Sequence, residues 1–304
     1  MTAKSTLSRP TQSILGQWRD YLELCKPKVV ALMVFTAIVG MLLADPANVN
    51  VLTLVFATLG IALVASAAAA INHVADSRID AAMDRTKLRP LPSGSLDKTS
   101  VLMFATIIGA AGMAVLIMQI NLLTAILTFL SLVGYAVVYT MYLKRATPQN
   151  IVIGGAAGAT PPLLGWTAVT GSVDADALLL FLIIFTWTPP HFWALAIYRK
   201  EEYAKVDIPM LPVTHGEDYT RLQITLYTIL MSVITVFPYF TGMSGELYLL
   251  SVLLLNAGFL YYAISLQITK CRTKAINTFV YSIIYLMVLF AVLLIDRFLP
   301  YISL

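Results

Sequence analysis

An amide and three carboxylates recur at every fourth position, Asn72, Asp76, Asp80 and Asp84. If the helix of the second apolar segment runs on past the membrane edge, all four share one face. Like charges at that spacing repel, and a cation between them converts the repulsion into binding. Carboxylate and amide oxygens are hard ligands that suit Mg2+, which keeps several waters and shares its shell with phosphate oxygens. Asn72, Asp76 and Asp80 are thus the expected metal-binding and catalytic face. The competing reading is a solvated helix end whose acids pair with Arg78 and Arg85.

Cations follow at once, in Lys87-Leu88-Arg89-Pro90-Leu91-Pro92-Ser93-Gly94, where the prolines stop the helix and force a turn. Beside a carboxylate-bound Mg2+, Arg85, Lys87 and Arg89 would clamp a diphosphate. Lys144 and Arg145, which follow Tyr139 and Tyr142, make a second candidate clamp, and Lys26 and Lys28 are further candidates. Arg offers bidentate contacts and Lys a point charge. Basic residues also collect at inner helix ends for reasons of topology alone, so these positions gain a chemical role only from the acidic face nearby.

Two apolar segments carry helix breakers, which membrane interiors tolerate only where neighbours or a cavity satisfy the freed backbone groups. One reads Gly154-Gly155-Ala156-Ala157-Gly158-Ala159-Thr160-Pro161-Pro162, in which Gly154 and Gly158 offer a small-residue surface for close helix approach. The other reads Trp187-Thr188-Pro189-Pro190-His191-Phe192-Trp193 and sets a kink, an imidazole and aromatic faces together. Such a segment suits a pocket for a flat or cationic species. His73 is the second histidine near membrane depth, whereas His215 reads as a solvated turn residue.

The elements that must position these residues follow from composition. A 304-residue chain that is 59% hydrophobic and 12% charged exceeds what one soluble core can hide, so the lipid bilayer must act as its solvent. Apolar runs of about 20 residues, the length that crosses the hydrocarbon, are expected near 27–44, 51–72, 99–119, 121–143, 150–170, 177–198, 221–241, 246–267 and 276–297. The class is an all-α polytopic membrane protein of about nine transmembrane helices. A segment 1–26 precedes a transmembrane domain 27–298, and two long polar loops near 77–98 and 199–220 are the ones able to hold a site. All but one of the 20 Lys and Arg fall on one side, Arg297 being the exception. The positive-inside rule then puts the N-terminus and those loops in the cytoplasm and the C-terminus outside. The net charge of +4 reflects this topology and gives no reason to expect nucleic-acid binding. Cys25 and Cys271 fall on the same side and suggest no disulfide framework.

The chain resembles the intramembrane prenyltransferase superfamily that includes 4-hydroxybenzoate polyprenyltransferase. Its first signature is an Asn followed by Asp residues at helical spacing, as at Asn72, Asp76 and Asp80. Five segments are similar to the branch that acts on haem: Cys25-Lys26-Pro27-Lys28, the block from Asn72 to Gly94, the stretch from Asn150 to Trp166, Trp187 to Trp193, and Pro209-Met210-Leu211-Pro212-Val213. They cover most of the chain in the expected order. The resemblance implies helices around a central cavity open to the cytoplasm, and an N-terminal segment without a long Arg/Ser-rich transit pattern favours a bacterial inner membrane. It implies farnesyl diphosphate as donor, haem B as acceptor rather than cofactor, Mg2+ as cofactor, and haem O as product. A downstream haem A synthase or terminal oxidase assembly would be a partner. On this reading Asn72, Asp76, Asp80, Arg89 and Lys144 are catalytic, and His191, with His73, Trp187 and Trp193, holds haem. The second acidic motif departs from the pattern: no two carboxylates of loop 199–220 stand four apart in its first half, and Glu202 and Asp207 are the nearest candidates for a second metal contact. Transfer to an aromatic acid or quinone precursor is the alternative within the fold, and a membrane transporter the alternative outside it.

Overall fold

The computed structural model describes residues 17–302, and every regular element among them is helical. In chain order these are α1 (Trp18–Leu24), α2 (Pro27–Ala44), α3 (Val51–Ala82), α4 (Lys98–Gln119) and α5 (Leu122–Val133). A π-helix, Gly134–Leu143, then runs into α6 (Lys144–Ala146), followed by α7 (Asn150–Ala159), α8 (Pro161–Thr170) and α9 (Ala175–Tyr198). Short helices α10 (Lys200–Ala204) and α11 (Leu211–Thr214) lead to α12 (Gly216–Ile234), α13 (Phe237–Phe240), α14 (Glu246–Thr269) and α15 (Arg272–Ile302). Of the expected N-terminal segment, residues 1–16 lie outside the described residues.

Among the described residues, eight helical runs are long and apolar enough to cross a membrane. The ninth expected crossing is the pair α7 and α8, ten residues each, broken at Thr160-Pro161. The pair still crosses. Asn150 follows the basic end Lys144-Arg145, whereas the Thr167 carbonyl accepts from the Asn121 side chain in the α4–α5 turn at the opposite end (2.8 Å). The chain is therefore a multi-pass membrane protein. Helices are the answer that lipid imposes, because each backbone N–H and C=O must be satisfied within its own segment. Their exposed starts are closed by side chains: Asn50 accepts from the Leu52 amide, Asp97 from Ser100 and Asn121 from Thr124.

One boundary, the C-terminal end of α3, differs from the sequence expectation in a way that matters. Helix α3 runs to Ala82, ten residues beyond the expected span end at 72, and carries Asn72, Asp76 and Asp80 in one helical register. It stops there, with Met83 extended (φ −103°, ψ 129°), so Asp84 leaves the shared face. Asp84 instead pairs with Lys87 at 2.8 Å in the exposed turn.

Close packing sets the frame. At Gly40 a Cβ would stand 2.2 Å from the Pro162 carbonyl oxygen, and at Gly165 one would stand 2.0 Å from that of Ala37, so α2 and α8 touch backbone to backbone. The small-residue surface expected at Gly154 and Gly158 is used at its first member only. A Cβ at Gly154 would meet the Tyr139 ring at 2.2 Å, and its neighbour Gly155 abuts Thr188 of α9, whereas a Cβ at Gly158 would meet nothing within 4 Å outside its own helix turn. Far from the basic ends, Asp296 accepts from the Gly245 and Tyr248 amides and so closes the N-terminus of α14. Gly165→Val is expected to destabilise the α2–α8 contact by about 1–3 kcal/mol or more, seen as a lower melting temperature in detergent. Gly158→Ala should leave melting unchanged, and equal behaviour of the two variants would refute the backbone contact.

Candidate active site

The acidic face of α3 is buried: Asn72, Asp76 and Asp80 are each about 5% exposed or less. Buried carboxylates require counter-charges, and three elements supply them. Lys144 Nζ donates to Asp76 Oδ2 at 2.7 Å, beside the Asn72 amide nitrogen, which donates to the same oxygen at 2.9 Å. Arg89 donates to Asp80 Oδ2 at 2.8 Å. Lys26 Nζ donates to Asn72 Oδ1 at 2.5 Å and stands 3.4 Å from the Tyr135 hydroxyl. The turn after α3 is folded to allow this, since the Thr86 hydroxyl donates to the Asp80 carbonyl at 2.9 Å and brings Arg89 back over the helix end. Asp76 Oδ1 is buried and has no hydrogen-bond partner among the described residues.

Two sequence features shape this cluster. In an α-helix of 3.6 residues per turn, Tyr135 and Lys144 would point to opposite sides, two and a half turns apart. The π-helix between them has wider turns, and it sets Tyr135, Thr140 and Lys144 toward α3 together. Thr140 accepts from Asn72 at 3.1 Å and donates to the Tyr135 carbonyl five residues back (2.8 Å). Lys26 is held in the left-handed region at φ 49°, before Pro27, a conformation of the kind that persists where surrounding contacts enforce it.

Positive charge is in excess here. The Lys26 ammonium is pushed down to about 8, first by burial and then by Arg89, while Asp76 and Asp80 pull it only partly back. An anion would relieve this surplus. Loop 199–207 faces the same region: Arg85 stands within electrostatic reach of Arg199, Arg89, Tyr203 and Glu202. Burial raises the Tyr203 hydroxyl above its usual range, and Arg85 and Arg199 oppose that shift.

The remaining expected residues are distributed as follows. Glu202 pairs with Arg199 at 3.3 Å, and Glu201 with Arg272. Asp207 is held at φ 53° at the end of that turn. Lys28 and Arg145 are exposed, and neither forms an ion pair among the described residues. Lys87 is taken by Asp84. Among the described residues no three of His, Cys, Asp or Glu gather as a complete metal shell. A Mg2+ at Asn72, Asp76 and Asp80 would thus complete its coordination with phosphate oxygens and water, as that ion commonly does. The unpartnered Asp76 Oδ1 is the observation that fits such an ion.

His191 lies on α9, stacked on Trp187 with ring centroids 4.2 Å apart. This segment connects to the acidic face through α7, where Gly155 abuts Thr188 and Gly154 abuts Tyr139, whose ring stacks on Tyr135 at 5.8 Å. His73 is buried with neither ring nitrogen bonded among the described residues. Trp193 is not brought to the His191 face. It sits edge-on to Tyr227 (5.3 Å) in a cluster with Ile197 and Leu211, because two residues along a helix turn a side chain by more than half a circle. Sequence reasoning missed Tyr135, Thr140, Phe279 and Ser282; only a polar residue recurring inside an apolar span signalled Thr140 and Ser282.

The Asp76–Lys144 pair is testable as a unit. Lys144→Ala should destabilise the protein by about 3–5 kcal/mol through the unpaired carboxylate, and adding Asp76→Ala should recover part of that loss. Additive melting shifts in detergent would show that the two groups do not interact.

The UbiA prenyltransferase family model matches residues 33–289, inside the expected 27–298 domain. A Marinobacter nauticus protein named protoheme IX farnesyltransferase is 60% identical over 292 residues, covering 96% of this chain and 97% of that one. A protein of the same name from Saccharophagus degradans is 57% identical over 299 residues, 98% of each chain. Among solved structures, a digeranylgeranylglyceryl phosphate synthase superposes with a TM-score of 0.78 at 20% identity, covering 93% of this chain and 99% of the other. A UbiA homologue from Archaeoglobus fulgidus bound to GPP and Mg2+ superposes with a TM-score of 0.61 at 15% identity, covering 90% and 99%. These likenesses at low identity establish a shared fold, and the family match over most of the sequence establishes more: this chain belongs to the UbiA prenyltransferase family.

Proposed function

We propose that this prenyltransferase moves a farnesyl group from farnesyl diphosphate to a vinyl group of haem B and adds water, giving haem O. The observation that carries the chemistry is the buried face Asn72, Asp76 and Asp80, ringed by Lys26, Arg89 and Lys144 with a carboxylate oxygen left unpartnered. What supports the acceptor is likeness at 57–60% identity to proteins named for that transfer, together with the aromatic histidine segment of α9.

In this reading Asn72, Asp76 and Asp80 hold Mg2+, and Mg2+ when bound neutralises phosphate charge on the leaving group. Glu202 and Asp207 are proposed as secondary contacts from the facing loop. Lys26, Arg89 and Lys144 surround the diphosphate as its bond to the allylic carbon breaks, where fixed cations stabilise developing negative charge. Arg85 and Lys87 guide the diphosphate from outside, and Lys28 and Arg145 form its outermost basic rim. Tyr135 and Tyr139 present aromatic faces next to these cations, suited to shielding a prenyl cation from bulk water. His191, with Trp187 beside it, holds the haem so that its vinyl meets that carbon; His73 is a subsidiary candidate. The basic helix ends support a cytoplasmic orientation for this face, which in this reading lies at a bacterial inner membrane with the C-terminus periplasmic. The product would pass to a haem A synthase or a terminal oxidase assembly. Membership of the family sets aside the transporter reading.

Purified protein supplied with haem B, farnesyl diphosphate and Mg2+ should yield a more hydrophobic haem on chromatography, and a chelator should abolish it. Unchanged haem B from folded protein would return the acceptor to the aromatic or quinone class. Asp76→Ala and Asp80→Ala should each reduce turnover at least a hundredfold, about 2.7 kcal/mol in the barrier, while the protein stays folded; near-normal turnover in either would sink the metal assignment. Arg89→Ala should raise KM for farnesyl diphosphate well above that of Arg145→Ala, and the reverse order would exchange their roles.

A further inference from the structure

The two buried imidazoles are held in different ways. His73 has no hydrogen bond among the described residues at either ring nitrogen. His191 Nδ1 lies 2.6 Å from the Ser282 hydroxyl oxygen of α15. A serine has one hydroxyl proton, and that of Ser282 is directed to the Phe279 carbonyl at 2.6 Å. With that proton on the carbonyl, the oxygen is free to accept from Nδ1, the arrangement in which both short contacts are hydrogen bonds. An imidazole protonated at Nδ1 keeps its lone pair at Nε2, and Nε2 takes no hydrogen bond among the described residues.

The ring is also fixed in plane. Trp187 lies on one side at 4.2 Å and 20°, Phe279 at 4.6 Å and 28°, and Phe192 meets it edge-on at 4.9 Å. Trp187 is secured in turn by donating from its indole nitrogen to the Ser282 carbonyl at 2.8 Å. One residue of α15 therefore holds two rings of α9, one through its hydroxyl and one through its backbone.

We infer that Ser282 is a positioning residue that fixes His191 in the Nδ1–H tautomer and leaves Nε2 as an axial ligand to the iron of the acceptor haem. This rests on the haem-acceptor reading above and adds to it an iron ligand and the group that orients it. Metal-bound histidines commonly donate their second ring N–H to an oxygen, which sets the ring orientation and raises the basicity of the ligating nitrogen. Here that oxygen is a neutral hydroxyl whose own proton is already committed. Iron held this way fixes the macrocycle while its vinyl group is attacked.

The test uses the full chain in detergent, loaded with haem B and reduced, and reads the iron–histidine stretch by resonance Raman together with haem affinity. The unaltered protein should show the band, His191→Ala should lose it, and added imidazole should restore it. Ser282→Ala should lower its frequency and weaken haem affinity roughly tenfold or more, with KM for farnesyl diphosphate unchanged, and Ser282→Thr should restore both. A melting temperature for each variant, and the hydroxyl-preserving Ser282→Thr, separate loss of fold from loss of the hydrogen bond. A band that persists in His191→Ala, or one unaltered in Ser282→Ala at unaltered affinity, overturns the inference while the haem-acceptor reading stands. Unaltered protein that binds no haem B and forms no haem O overturns both.

Discussion

Carboxylates buried where a helix leaves the bilayer must be matched by cations, and the architecture around Asp76 and Asp80 follows from that requirement. Neither residue has a counter-charge on its own helix face. Lys144 arrives from the end of the π-helix, Arg89 from the turn after α3, and Lys26 from the start of α2, reaching Asn72. Each partner is delivered by an element that would otherwise have no reason to lie there. The resulting cluster is incomplete, with one Asp76 oxygen unpartnered and the Lys26 ammonium held down first by burial and then by Arg89. A polyanion and a hard cation together would answer both deficiencies.

Backbone irregularity is concentrated around the same face. The π-helix changes which residues share a side, and without it Tyr135 and Lys144 could not both reach α3. Lys26 and Asp207, two of the three non-glycine residues at positive φ among those described, precede and follow the elements that close over the site. Sparsely populated conformations survive where tertiary contacts over-determine them, and for Lys26 those contacts run through its own ammonium to Asn72 and Tyr135.

The broken crossing of α7 and α8 joins this acidic face to the aromatic segment of α9. Gly154 and Gly155 let α7 approach Tyr139 on one side and Thr188 on the other, so a single pair of missing side chains links the two halves of the proposed reaction. Gly40 and Gly165 perform a structural version of the same task between α2 and α8. In a lipid environment, where apolar burial alone gives helices little reason to associate, such backbone contacts supply the van der Waals energy that holds the bundle.

Much was legible in the sequence. Apolar runs of membrane length marked where the chain crosses, and the four-residue spacing of Asn72, Asp76 and Asp80 marked a shared helix face, because both depend on local periodicity alone. The helix end that removes Asp84 from that face lies in a turn fixed by Thr86 and Arg89, whose contacts reach back to Asp80 over spans that the four-residue helical period does not describe. The π-helix was equally illegible, since an apolar stretch such as Gly134–Leu143 reads the same whether its turns are closed by four residues or five. That Lys144 meets Asp76, that Trp193 packs on Tyr227, and that Ser282 sets the proton on His191 are distances between segments far apart in the chain. Residue types and spacing determined what chemistry this protein could carry; only packing between helices decided which of those residues share one site, because a sequence encodes the direction of a side chain but not what stands opposite it.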